Sequence, residues 1–125
     1  MILRLLALLV LGWTAGFVIF VLGQGRPADD RMTDAIVVLT GAPGRLTRGL
    51  ALLEAGRAKR MFISGVGRDV LPAELAYANN APEQLFHCCI DLGREAVDTR
   101  SNGLEVAHWV ARHHYRSVRL ITTDW

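Results

Sequence analysis

Residues 34–67 read DAIVVLTGAPGRLTRGLALLEAGRAKRMFISGVG, and this stretch decides the fold. Its opening, Ala35–Leu39, is a continuous apolar run rich in Val and Ile, bounded by Asp34 and by Thr40, Gly41, Pro43 and Gly44. Such a run suits a strand buried on both faces, as in a parallel sheet. Over residues 45–55 the period changes. Leu46, Leu50 and Leu53 recur at helical spacing, and Gly56 stands where a left-handed cap ends a helix. Residues 61–63 then predict a second short strand running into the tight turn of Ser64, Gly65, Val66 and Gly67. Strand, glycine turn, helix, strand is the opening of a βαβ unit.

The remainder of the chain continues the alternation. Pro72 suits the first turn of a helix reaching Tyr77 or Asn79, which Asn79, Asn80 and Pro82 then break. Residues 86–92 predict a third strand. Asp98 or Thr99 caps a longer helix over about residues 100–114, with Leu104, Val106, Ala107, Trp109, Val110 and Ala111 along it. Arg112, His113, His114 and Arg116 sit at its end, where the macrodipole favours cations. Residues 118–122 close with a fourth strand. The order β-α-β-α-β-α-β predicts a Rossmann-like three-layer α/β domain with a mainly parallel sheet, helices on both faces and right-handed crossovers. The chain stops at Thr123, Asp124 and Trp125, where such a domain continues with a loop and a covering helix. The α/β domain over residues 34–125 is therefore expected to be incomplete at its C-terminus.

Working back toward the N-terminus, the chain has 125 residues, 51% hydrophobic and 21% charged, with a formal net charge of +2. That excludes a multidomain enzyme and a disordered chain. The mean hydropathy of +0.26 is high for a soluble domain, and its source is one segment. Between Leu5 and Leu22 the only polar side chain is Thr14. A helix of those 18 residues covers about 27 Å, close to a bilayer core. The run is longer than the h-region of a signal peptide, although Gly23 and Gly25 form a small-x-small pair. It is apolar all round, with no polar face to mark a core helix. Residues 1–25 are thus expected to form an uncleaved transmembrane anchor and residues 26–33 a polar linker. Arg4 precedes the run while Arg26 and Arg31 follow it, interleaved with Asp29 and Asp30, so charge alone leaves the orientation open.

Ligands of open parallel sheets bind outside the carboxyl ends of the strands. After the first strand come Gly41, Gly44 and Arg45, and after the second Ser64 and Gly65. Backbone N–H groups in these turns, with the helix N-termini that follow, can hold an anion, and Arg45 would add a charge-assisted contact. Neither turn has the spacing of a P-loop or a dinucleotide fingerprint. Phe62 stands where a nucleophile elbow needs glycine, so Ser64 reads as a hydrogen-bonding turn residue. Glu74 falls in the first turn of the second helix, where a carboxylate ordinarily serves the helix dipole. Asp98, Thr99, Ser101 and Asn102 form an N-cap cluster that explains Asn102 least, and Thr122 ends the last strand. Cys88 and Cys89, placed in a strand, would point to opposite faces as two buried thiols, disfavouring a disulfide. His87 and Cys89 lack a third ligand, so no metal site is expected. The small basic run of Arg112, Arg116 and Arg119 is interspersed with acids and does not suggest nucleic-acid binding.

In DAIVVLTG with Arg45, the ISGVG turn, Glu74 in PAELAYA, the DTRSNG run and VRLITTDW, the stretch from Asp34 to Trp125 resembles the YdcF-like family of SanA- and ElyC-type envelope proteins. The first turn reads TGAPGR where that family tends to carry a glycine triplet. The resemblance implies a Rossmann-like domain with a polar strand-end pocket behind a membrane anchor. It also implies a place in bacterial cell-envelope and peptidoglycan biogenesis, at the inner membrane with the domain on the periplasmic side. The expected ligand is phosphorylated or nucleotide-like, such as a lipid-linked cell-wall precursor. Gly41, Gly44 and Arg45 would take the anion, and Ser64, Gly65, Thr99, Asn102 and Thr122 would supply polar edges. If the protein is catalytic, phosphoester hydrolysis is the natural class, with Glu74 as base. The alternatives are a non-catalytic envelope scaffold, and a cytosolic S-adenosylmethionine binder of the kind some unanchored relatives suggest, which the anchor opposes. The cofactor is left unspecified.

Overall fold

The computed structural model describes residues 2–23 and 31–122. Its first element is the helix α1 (Ile2–Leu22), with every side chain exposed. At about 1.5 Å per residue its 21 residues reach about 31 Å, long enough to cross a membrane. Its single hydroxyl is satisfied within the helix, Thr14 Oγ1 donating to the Val10 carbonyl at 2.8 Å. The expected linker at residues 26–33 falls mostly outside the described residues, as do residues 123–125.

From residue 35 the chain runs β1 (Ala35–Leu39), α2 (Arg45–Glu54), β2 (Arg60–Ser64), α3 (Pro72–Ala78), α4 (Glu83–Cys88), β3 (Ile90–Leu92), α5 (Thr99–His113) and β4 (Val118–Ile121). The four strands form one all-parallel sheet in the order β3-β2-β1-β4. β1 is central, and Ala35, Ile36, Val37 and Val38 are buried to within 1%, as their unbroken apolar run requires. Alternation along the strands then splits the core. Ile36, Val38, Met61, Ile63 and Ile90 face α2, α3 and α4, whose Leu50, Leu53, Ala76 and Phe86 pack on them. Ala35, Val37 and Phe62 face the other way, onto Trp109 of α5. Successive strands step from β1 to β2 to β3 with helices on one face, and the step back to β4 carries α5 on the opposite face. Reversing both direction and face keeps the crossovers of one hand.

Local chemistry explains the element ends. Gly56 adopts φ 68°, its N–H donates to the Leu53 carbonyl, and the Arg57 N–H donates to the Leu52 carbonyl. This is the Schellman arrangement expected of a glycine after α2. Asp98 caps α5 by accepting the Ser101 N–H at 2.7 Å, while the Ser101 hydroxyl accepts the Asp98 N–H at 2.9 Å. Pro72 opens α3, and Asn80 at φ 51° follows its end.

Two expectations are corrected. The third strand is only Ile90–Leu92, because the preceding residues form α4 and make a second helix between β2 and β3. Pro82 sets the extended entry, Glu83 occupies the first turn, and Leu85 and Phe86 turn inward to the α2-side core. Cys88 and Cys89 accordingly lie at a helix end, where strand alternation does not apply. They are bonded to each other as a disulfide, with Cys88 exposed and Cys89 half-buried, and are not two buried thiols.

Candidate functional site

The strand order reverses between β1 and β4, so the crevice of this sheet opens at the carboxyl end of β1. There Gly41 and Gly44 take φ 110° and 79°, and a Cβ added at either would meet nothing within 4 Å. Gly44 is the N-cap of α2 and has no side chain, so the cap residue itself makes no side-chain hydrogen bond to the first turn. Arg45 is half-buried at the first helical position, its Nη1 donating to the Leu39 carbonyl at 3.2 Å across the end of β1. Thr122 is exposed just past β4, the strand beside β1.

A second polar group lies one strand over. Ser64 is fully buried at the end of β2, with its Oγ 2.5 Å from Glu105 Oε2 and 2.9 Å from Asn102 Oδ1. One hydroxyl proton serves the two, and the carboxylate is the stronger acceptor, which leaves the Asn102 amide the partner better able to turn to a ligand. Gly65 adopts φ 75°, and the space beside it is taken. A Cβ there would stand 2.6 Å from Thr40 Oγ1 and 2.8 Å from Asn102 Oδ1. Thr40 also donates to the Gly65 carbonyl at 2.8 Å, locking the turns after β1 and β2 together.

Glu105, which the sequence reading passed over, is the hub of this end. Its carboxylate accepts the Ser64 hydroxyl, the Gly65 N–H at 3.2 Å and the Glu95 N–H at 2.8 Å, with a further hydrogen bond from the Ala96 backbone. Burial pushes its pKa up, but the Ser64 hydroxyl and the backbone N–H groups outweigh burial and hold it below the ordinary range. A signal for it existed. With Asp98 as cap, positions 102, 105 and 109 share the inward side of α5, and a carboxylate among them marks a polar contact beneath the helix. Beside Glu105 runs an open groove of about 580 Å³ between α5 and the edge strand β3, floored by Phe62 and Leu92 and flanked by Arg94, His108 and Arg112. Arg94 is engaged in structure, its guanidinium donating to the carbonyls of Gly67, Arg68 and Val70.

Of the residues singled out from sequence, Ser64, Gly65 and Asn102 meet in one cluster, with Gly41, Gly44 and Arg45 in the neighbouring turn joined to it through Thr40. Thr99 is exposed at the start of α5 and makes no contact with the cluster among the described residues. Glu74 is exposed on α3, where its Oε2 accepts the Leu71 N–H at 3.0 Å as a helix cap. A comparison of the chain with protein-family models, with curated proteins and with solved structures finds no match.

Proposed function

We propose that this chain is an anchored protein of the bacterial cell envelope, its domain on the periplasmic side of the inner membrane, whose strand-end turns bind a phosphorylated or nucleotide-like ligand. The observation that carries the reading is the N-terminus of α2. A ten-residue helix begins at a side-chain-less cap, over the point where strand order reverses, with open space above Gly41 and Gly44. First-turn N–H groups without a cap side chain from Gly44, and a helix dipole directed at one crevice, favour an anion. Arg45 stands at the same turn, and the Asn102 amide offers a hydrogen-bonding edge at the next. The resemblance of these motifs to YdcF-like proteins supports the envelope setting.

Binding is the form of this proposal that the carboxylates favour over hydrolysis. Glu74 is spent on its cap and Glu105 on Ser64 and the two loops beneath α5, and the hydrogen bonds Glu105 accepts favour its ionised form. The test is calorimetric titration of the full chain in lipid nanodiscs with a nucleoside diphosphate and with inorganic pyrophosphate. Saturable binding is expected, weakened by about 1–3 kcal/mol in Arg45→Ala. The absence of saturable binding to either probe refutes the proposal. Product formation that depends on Glu74 would instead establish the hydrolase form.

A further inference from the structure

We infer that Cys88 and Cys89 form a redox site that exchanges with external thiols, an inference independent of the ligand proposed above. They are the only cysteines in the chain, are adjacent in sequence, and are bonded to each other. A structural disulfide stabilises through the loop it closes in the unfolded chain, and this one closes a ring made of its own two residues, with none between. Its effect on the unfolded ensemble is therefore minimal. Nor is it needed to hold the folded segment. The Cys89 N–H donates to the Leu85 carbonyl at 3.0 Å, the Cys89 carbonyl accepts the Met61 N–H at 2.9 Å, and the Cys88 carbonyl accepts Arg60 Nη1 at 2.9 Å. Arg60 is fixed in turn by Asp91, its Nη2 standing 2.7 Å from each carboxylate oxygen. The backbone of the pair is thus pinned to α4 and β2 by contacts in which the sulfurs take no part.

Placement sets the direction of the exchange. Cys88 is exposed at the last position of α4, whereas Cys89 is half-buried and packs against the α2-side core. An external thiolate therefore reaches the Cys88 sulfur. It bonds to that sulfur as the S–S bond breaks, and the electron pair leaves on the Cys89 sulfur, which takes up a proton. The product is a mixed disulfide on Cys88 beside a free thiol on Cys89. A second external thiolate then attacks the external sulfur of the mixed disulfide, releasing a small disulfide and leaving Cys88 to take up a proton. Two external thiols are oxidised to one disulfide, and the pair gains two electrons and two protons. The pinned backbone keeps the two thiols neighbours, so an external disulfide returns them to the ring by the same steps in reverse. An accessible disulfide without a structural duty belongs with the labile ones, open to exchange with a thiol pool.

The test equilibrates the full chain in lipid nanodiscs with buffers of reduced and oxidised glutathione, quenches with a maleimide, and reads the residue 88–89 peptide by mass spectrometry. The pair is expected to pass from disulfide to dithiol as reduced glutathione rises and to return as it falls, with the same melting temperature at both extremes. Quenched at short times, the mixed disulfide is expected to carry glutathione on Cys88 and the maleimide on Cys89. A pair that stays oxidised in excess reduced glutathione, or stays as thiols in excess oxidised glutathione, overturns the redox site. A fall in melting temperature on reduction also overturns it, because the bond would then be a structural staple. Glutathione found first on Cys89 overturns the order of attack.

Discussion

The Ser64 hydroxyl, buried at the end of β2, meets the Glu105 carboxylate of α5 at 2.5 Å across 41 residues of sequence. The same carboxylate gathers backbone N–H groups from the turn after β2 and from the connection between β3 and α5. One side chain thus sets the positions of two loops that border the candidate site.

Removing that carboxylate is expected to loosen both loops. Glu105→Ala should cost about 2–3 kcal/mol in urea unfolding, since hydrogen bonds to charged groups are among the stronger ones and their donors would lose their partner. Glu105→Gln keeps an acceptor of similar shape and should cost about half as much. Equal stability of both variants with the parent would show that the loops hold themselves.

Gly65 and Gly56 separate two effects of a side chain at positive φ. At Gly56, with φ 68° and open space around it, substitution by Ala meets only the backbone penalty, about 1 kcal/mol. At Gly65 the added Cβ also collides with Thr40 and Asn102, so Gly65→Ala should lose clearly more, about 2–3 kcal/mol. Thermal unfolding of the two variants side by side decides it.

Acid should destabilise the domain, and the two partly buried carboxylates among those held below their ordinary range, Asp91 and Glu105, contribute. Burial raises the Asp91 pKa, but hydrogen bonds from Arg60 and from Trp109 Nε1, at 2.9 Å, with the charges of Arg60 and His113, bring it below its ordinary value. Glu105 is lowered likewise. Folded-state values below the unfolded ones mean that the stabilisation is complete above the unfolded carboxylate range, about pH 4, and disappears as pH falls through the lower folded values. Melting temperatures followed from pH 6 downward should fall below about pH 4, and less steeply in Asp91→Asn, which starts from a lower plateau.

Trp109 tests the other face of the same network. Its ring stacks on Phe62 with centroids 4.9 Å apart while its N–H reaches Asp91, so Trp109→Phe keeps part of the stack and removes the donor. A loss of about 2 kcal/mol is expected in denaturant unfolding, combining reduced burial with a carboxylate deprived of one partner.

Most of the fold was legible because its signals are local. The Val- and Ile-rich run of β1, the leucine spacing of α2 with Gly56 behind it, and the Asp98 cap of α5 each set their own element. The stretch around residues 82–89 was not legible in this way. Its apolar residues Leu85 and Phe86 suit a short helix as well as a strand, and tertiary packing against the α2-side core decides between them. The misread strand carried the misread cysteines with it, since their expected divergence assumed strand alternation. At the site, Ser64, Gly65 and Asn102 were legible as residues at strand and helix ends. Glu105 was not, because its role depends on which loops come to lie beneath α5, and that is known only once the sheet has formed. Glu74 illustrates the converse, a residue matched to a motif whose carboxylate is used by its own helix.

The chain enters β1 at one end of the sheet, and the glycine turns open at the other. A five-residue strand rising about 3.3 Å per residue separates them by about 16 Å. Were the proposed ligand lipid-linked and that end of the sheet turned to the bilayer, its headgroup would have to span that distance, whereas a nucleotide approaching from the aqueous side would span nothing. On the proposed function, with that end of the sheet toward the bilayer, the strand length favours phosphorylated molecules with long headgroups or no lipid at all.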